Sequence, residues 1–546
     1  MTIGNCGIGK ILKNRFTISL ALCWQEVTRG ASAAILAGNV AEWTICDIGA
    51  IAAGSGGGGL YPTISAEQCA FIINHSDAEF IVVDSQKQLE KILDIGEPLP
   101  KLKEIICIED TKELSFEKVT ELKKEFWKFE TAAVGEIPVT RYRDFLAIGK
   151  SKRVEFLPRV EEIGFNLKGE ETAIMVYTSG TTGQPKGAML SHDYILNSCE
   201  SLRRSIPIFD TDVSFSYLPA CHVAERISGI YNRLYNGASV YFVDDLTKLY
   251  AYMLEVKPTV FVSLPRFFEK VHAKVVSENG AKIDSQTLKD AFGGRIRLAT
   301  SGGAPLPNEI AAFFAQADLP ILQAYGLTEN ICVAFNRAAD FKFGTVGKPM
   351  PMCEIKIAAD GEILVKSPMM FSGYYKEPKK TAEMFDQNGW LKTGDLGSLD
   401  ADGFLKITGR KKEIIVLSSG KNVAPALLEN LLKKSHLISQ AFVYGDGKSY
   451  LTAIITLNQW KVEAFARANQ IEFADFADLT RKEEVKQIVA AQVAITNARV
   501  STERSDKKIH AFRARFFGGT RRSDAHDEIK RQYYKREVSR RFREII

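Results

Sequence analysis

The stretch TAIMVYTSGTTGQPKG, residues 172–187, decides the reading of this chain. Its first half is a short β-branched apolar run, Ala173–Val176, of the kind that forms a buried strand. Its second half places glycines and a proline among four small hydroxyl residues and closes on a lysine. Small residues let a backbone approach an anion closely, and successive N–H groups can form an anion-binding nest. The hydroxyls of Thr178, Ser179, Thr181 and Thr182 add donors, Gly180 and Gly183 keep the loop open, and Lys186 brings a mobile positive charge. The spacing is not that of a Walker A loop, since no Ser or Thr follows the lysine.

The same rhythm recurs on both sides. EFIVVDS (79–85), ASVYFVDD (238–245), TVFVSLP (259–265) and IRLATSGG (296–303) are apolar runs that end in polar or glycine-rich turns. Helix-like segments lie between them, including 265–277 and 308–317. This alternation predicts an α/β fold with buried strands, and chemistry at the carboxyl ends of those strands. After Pro351 the texture changes. The segment 353–368 alternates and turns at Asp360-Gly361, a hairpin signal. Residues 389–425 are rich in Gly and Asp turns, and a domain boundary is expected near 409–412. The run GSGGGG (54–59) has no lysine after it and reads as a flexible turn rather than a phosphate loop.

Composition sets wider bounds. The chain has 546 residues, 45% hydrophobic and 25% charged, ordinary for a globular protein that buries a large core. No stretch approaches the ~20 apolar residues of a membrane span. The segment 11–24 is the nearest to a signal sequence, but it lacks a clear cleavage site and reads as native protein. Nine scattered cysteines without a CxxC argue against a disulfide framework or zinc ribbon and for a reducing compartment. Residues 499–546 carry 15 Lys/Arg against 7 Asp/Glu, so the basic balance resides in the tail.

The string 177–187 resembles the phosphate-binding signature of the adenylate-forming superfamily. Further motifs stand in that family's order: SFSYLPACHVAER (214–226), TSGGAPL (300–306), QAYGLTE (323–329), GTVGKPMP (344–351), GWLKTGD (389–395) and ITGRKKE (407–413). The acyl-side motifs LPACHVAERI and GKNVAP are most similar to long-chain and bubblegum-type fatty acyl-CoA synthetases.

The resemblance implies a large N-terminal domain of stacked α/β subdomains, residues 1–409, and a smaller mobile α+β domain, residues 410–546. It implies ATP, Mg²⁺ and coenzyme A as co-substrates and cofactor, with a fatty acid activated as acyl-AMP and passed to the thiol. Gly302, Gly303 and Ala304 would lie against adenine, Tyr325 would stack on it, and Gly326 belongs to the same motif. Thr328 would donate to the α-phosphate, and Glu329 would be the magnesium ligand. Asp395 and Arg410 would take the ribose, and His222, with Gly302, the acid-binding mouth. Lys412 would be the pivot of domain rotation, and Gly420 and Asn422 would contact coenzyme A. The catalytic set so implied is Lys186, Thr328, Glu329 and Lys412. A cytoplasmic enzyme follows, and a lipid substrate suits peripheral membrane contact. Nucleic acid is not expected as a partner. Two alternatives stay open: a ligase for another carboxylate, and a catalytically impaired nucleotide- or acyl-binding homologue.

Both ends depart from the family pattern. The lead-in before 34–43 is shorter than usual. The family also carries a C-terminal lysine, in a pattern like TPTxKxKR, that contacts the acid and the α-phosphate. The matching segment here is SDAHDEIKR (523–531), which puts Glu528 at that position; alignment from 540–546 puts Gln532 there instead. Codons for 523–528 read one base later permit Leu-Thr-Pro-Thr-Met-Lys. Codons for 507–517 shifted likewise permit Lys-Lys-Phe-Thr-Leu-Phe-Glu-Arg-Asp-Phe-Ser. A frame slip between about 499 and 506, recovered near 529, accounts for both. The basic tail is therefore not read as a nucleic-acid patch.

Overall fold

The computed structural model describes residues 32–108, 137–178, 184–280, 283–418, 422–448, 450–502 and 513–516. The chain divides into two units. The first comprises residues 1–356, 364–393 and 400–405, and the second comprises 357–363, 394–399 and 406–546.

Two sheets organise the first unit. The larger has eight strands in the order Gly373–Tyr374, Lys186–Ser191, Thr172–Thr178, Gly57–Leu60, Ser32–Leu36, Ala78–Val83, Glu104–Cys107, Val139–Arg141. The six strands from Thr172–Thr178 onward are parallel, and the first two run antiparallel to their neighbours. The smaller has parallel strands Val260–Ser263, Leu298–Ser301 and Ile321–Leu327, then antiparallel Asn330–Phe335 and Lys348–Pro349. Parallel sheets bury both faces, which is why these strands read as unbroken apolar runs. In the core of the smaller sheet Phe268 packs edge-on to Phe261 and Phe314, at centroid distances of 6.2 and 5.8 Å. The helices start and stop where their sequences dictate. Pro265 opens the helix to Asn279, and Gly280, at φ +82°, ends it. Ser65 and Gln68 close a reciprocal capping box on helix Ala66–His75.

The glycine run corrects the expectation from sequence in its second half: Gly54 sits in a turn at φ +71°, but the strand begins at Gly57. Gly57–Leu60 is a buried central strand, not a flexible turn. Gly57 and Gly59 are required by close packing rather than by flexibility. A Cβ on Gly59 would stand 2.6 Å from Cys221 Cβ and 3.0 Å from Trp43, and one on Gly57 would stand 3.1 Å from Asp47. The space they leave admits a fully buried ion pair, Arg226 with Asp47. The Arg226 guanidinium also donates to the carbonyls of Met175 (3.1 Å) and Gly57 (3.2 Å) and lies 5.2 Å from the Trp43 ring centroid. Tyr231 donates to the same aspartate. The charge is thus paired and its donors satisfied, as burial requires. Gly59→Ala is expected to cost about 1–3 kcal/mol by overpacking, read as a lower urea midpoint with unchanged slope.

The second unit has its own core around Leu432, Leu451, Ile455 and Val489. Strand Ile438–Tyr444 pairs antiparallel with Thr452–Leu457, which pairs parallel with Arg513–Phe516. Helices Pro425–Leu432, Gln459–Ala468 and Glu483–Thr502 complete it. The turn expected at Asp360-Gly361 is present: Gly361 has φ +85°, and Ala358 N–H donates to Glu362 O at 2.8 Å. Among the described residues no helix is long and apolar enough to cross a membrane, and the seven cysteines described are buried thiols.

Candidate functional site

The decisive stretch folds as an antiparallel hairpin. Thr178 and Lys186 are partners across it, as are Tyr177 and Gly187. Thr178 therefore ends a parallel strand, where open α/β sheets bind ligands. Ser179, Gly180, Thr181, Thr182 and Gly183 lie outside the described residues. Gly187 is glycine because a Cβ there would meet the Tyr177 ring at 3.2 Å. Its carbonyl accepts from the N–H of Tyr375 at 2.8 Å, which fixes the short strand Gly373–Tyr374 alongside.

That short strand supplies a residue that sequence reasoning missed. The Lys186 ammonium stands 5.0 Å from the centroid of the Tyr374 ring, within cation–π range. The Tyr374 hydroxyl donates to Glu329 Oε1. Burial, then the Glu329 charge, pushes the Tyr374 phenol far above its ordinary pKa, so it stays a donor at any working pH. Phosphate-loop lysine and expected metal ligand thus meet on one tyrosine. No local spacing could have revealed this, since Tyr374 is 45 residues from Glu329 and reaches it only through sheet pairing.

Glu329 sits in a two-residue turn, because Leu327 pairs directly with Asn330. The residue is 9% exposed, and its carbonyl accepts from Phe371 N–H at 2.8 Å. Gly326 permits the turn: a Cβ would lie 1.9 Å from the Ile331 carbonyl oxygen. Thr328 is half-buried beside it. Among the described residues no group of three or more His, Cys, Asp or Glu could hold a metal unaided. Magnesium commonly takes one or two carboxylates together with substrate phosphates and water. A single carboxylate with one oxygen oriented by Tyr374 fits a metal that arrives with a nucleotide.

Gly302, Gly303 and Ala304 follow strand Leu298–Ser301, whose Ser301 pairs with Gln323. A Cβ on Gly302 would lie 3.7 Å from the Ala324 carbonyl, and Gly303 adopts φ +75°. The two glycines thus present bare backbone beside half-buried Tyr325. The motif 214–226 splits in two. Its Glu225 and Arg226 turn into the core, Glu225 accepting from Ser216 (2.8 Å) and Arg233 (2.7 Å). His222 is exposed, and its Nδ1 accepts from Ala224 N–H at 3.1 Å just before a π-helical turn, Ala224–Tyr231.

Asp395, Arg410 and Lys412 belong to the second unit. Asp395 is 5% exposed and pairs with Arg410 Nε at 3.0 Å. Lys411 bridges Asp360 (2.6 Å) and Glu362 (2.7 Å), and Glu362 also accepts from Gly394 N–H at 3.0 Å. Lys412 is exposed in a short 3-10 turn, Lys411–Glu413. The Asn422 backbone pairs with Val416. Gly420, and the segment 523–532 with Glu528 and Gln532, lie outside the described residues.

Residues 17–375 match the family described as AMP-binding enzyme, and residues 412–515 match the AMP-binding enzyme C-terminal domain. The chain is 32% identical to long-chain-fatty-acid–CoA ligase FadD15 of Mycobacterium bovis, over 90% of this chain and 84% of that protein. It is 32% identical to long-chain-fatty-acid–CoA ligase ACSBG2 of Xenopus laevis, over 78% of this chain and 61% of that one. Its fold is similar to the A domain of carboxylic acid reductase from Segniliparus rugosus, solved with AMP and a carboxylic acid: TM-score 0.74, 20% identity, 98% of this chain and 87% of that chain covered. It is likewise similar to the anthranilate CoA ligase AuaEII bound to anthranoyl-AMP, with TM-score 0.70, 19% identity, and 96% and 91% covered.

Proposed function

We propose that this chain, which belongs to the AMP-binding enzyme family, ligates a long-chain fatty acid to coenzyme A through an acyl-adenylate, releasing AMP and pyrophosphate. The observation that carries the reading is the meeting of Lys186 and Glu329 on Tyr374, beside a hairpin whose loop composition suits a triphosphate. In the first half-reaction a carboxylate oxygen attacks the α-phosphorus of ATP, and the bond to pyrophosphate breaks. In the second, the thiol attacks the acyl carbon and AMP leaves.

The chain's own groups position and neutralise charge, which is most of what phosphoryl-type transfer asks of a protein. Lys186 faces the phosphates, and the resemblance assigns the hydroxyls of Thr178, Ser179, Thr181 and Thr182 to the same group. Thr328 donates to the α-phosphate. Glu329 holds magnesium, which when bound neutralises charge on the phosphate oxygens. Gly302, Gly303 and Ala304 give adenine a flat wall beside Tyr325. Asp395, its carboxylate oriented by Arg410, accepts from ribose hydroxyls. His222 serves the acid entrance. A division near 409–410 makes the C-terminal part the mobile domain. Exposed Lys412 is its pivot, and Gly420 and Asn422 contact coenzyme A.

ATP–pyrophosphate exchange across a panel of acids tests this reading. Exchange is expected with long-chain fatty acids and not with benzoate, malonate or amino acids. Exchange supported by an aryl or dicarboxylic acid alone would instead establish a ligase for another carboxylate. A second reading, impairment of the adenylation half, rests on one sequence observation: neither Glu528 nor Gln532 is lysine.

A further inference from the structure

Helix His192–Ser205 begins directly after the strand that carries Lys186, with Ser191 as its N-cap. One face presents Tyr194, Ser198 and Ser201, at the i, i+4, i+7 spacing of a single helical stripe. All three are fully buried. The serines allow close approach to the smaller sheet: the Ser198 carbonyl accepts from Cys332 Sγ at 3.7 Å, and Ser201 Oγ donates to Pro351 O at 2.8 Å. Tyr194 reaches further. Its hydroxyl donates to the Thr328 carbonyl at 3.0 Å and accepts from the Ile331 N–H at 3.0 Å. These two backbone groups flank Glu329 and Asn330, so one oxygen pins both arms of the turn. Burial keeps the phenol protonated far beyond its ordinary range, so the donor is permanent.

We propose that Tyr194 is a positioning residue for adenylation: it fixes the Thr328–Glu329 turn so that the Glu329 carboxylate meets the metal of Mg·ATP in one orientation. This rests on the roles proposed above for Thr328 and Glu329. Tyr374 holds the carboxylate from the side-chain end, and Tyr194 holds the same turn through its backbone. The phosphate lysine and the metal turn are therefore joined twice, once through Tyr374 and once through the Ser191 cap and Tyr194. A phenylalanine at 194 would fill the same space and lose both bonds.

The test is calorimetric binding of α,β-methylene ATP to the full chain as Mg²⁺ is varied, which needs no turnover. For Tyr194→Phe the Mg²⁺ concentration at half-effect should rise about 5- to 30-fold, the equivalent of one or two lost hydrogen bonds, while metal-free nucleotide binding, which keeps only the Thr328 contact with the turn, should weaken by a smaller factor. Ser201→Ala loses a bond on the same helix face away from the turn and should leave both quantities unchanged. A folded Tyr194→Phe with unaltered Mg²⁺ dependence overturns the proposal. If that variant does not fold, amide exchange on the unmodified chain decides: a protected Ile331 N–H supports the bond, and exchange at the rate of a free amide overturns it. Glu329→Gln, titrated in parallel, separates the two levels. No change there removes the metal assignment itself. A change there without one in Tyr194→Phe removes only the role of Tyr194.

Discussion

Glu329→Gln is expected to lower fatty-acid-dependent ATP–pyrophosphate exchange by about 100- to 1000-fold, or about 3–4 kcal/mol of transition-state stabilisation. The change keeps the size of the side chain and its capacity to accept from Tyr374, but removes the negative charge. Glu329 is 9% exposed, so water supplies little substitute charge there. The effect should fall on adenylation alone. Thioester formation from supplied acyl-AMP and coenzyme A has no triphosphate to hold, and its rate should stay near that of the unmodified chain. Stopped assays of the two half-reactions read this directly. Equal losses in both would mean that the substitution disturbs the fold or the adenylate pocket generally, and that the metal assignment is wrong.

The second large effect has the opposite sign. On the alignment that puts Glu528 at the family's lysine position, Glu528→Lys is expected to raise the adenylation rate about 100-fold or more, because it replaces a carboxylate with the ammonium that the resemblance sets against an anionic α-phosphate. Two like charges repel where unlike charges attract, so reversing one sign turns a penalty into attraction. Thioester formation from supplied acyl-AMP should change little. The alternative alignment puts Gln532 at the position, so Gln532→Lys is the companion variant. A rise in it alone would move the assignment by four residues. Resequencing the gene across 499–529 addresses the cause: a one-base difference restoring the family's lysine would make Glu528 a frame effect, and a clean read would leave it a property of the chain.

The fold was legible where strands are buried on both faces. Runs such as 172–178 and 259–265 carry no periodic polar residue, so their burial and direction follow from composition and from the turns that end them. The glycine run 54–59 misled because composition does not distinguish a glycine needed for mobility from one needed for contact. What decides Gly57 and Gly59 is Trp43, Asp47, Cys221 and Arg226, which approach from elsewhere in the chain. The same limit applies to the site. Lys186, Thr328 and Glu329 stand in motifs with local signatures. Tyr374 and Tyr194 act by reaching across sheet and helix packing, and their own neighbours in sequence say nothing of Glu329 or Thr328. Arg226 shows the converse: it stands within a recognisable motif, yet it faces Asp47 in the core.

The central claim is that a carboxylate displaces pyrophosphate at the α-phosphorus. The most direct measurement uses a 16-carbon fatty acid with both carboxyl oxygens labelled as ¹⁸O, incubated with the protein, Mg·ATP and coenzyme A. An acyl-adenylate requires one labelled oxygen to remain on AMP when the thiol takes the acyl group, so AMP carrying one ¹⁸O and an equal amount of acyl-CoA are predicted. Label recovered in inorganic phosphate together with ADP, or AMP formed without label, would contradict the account.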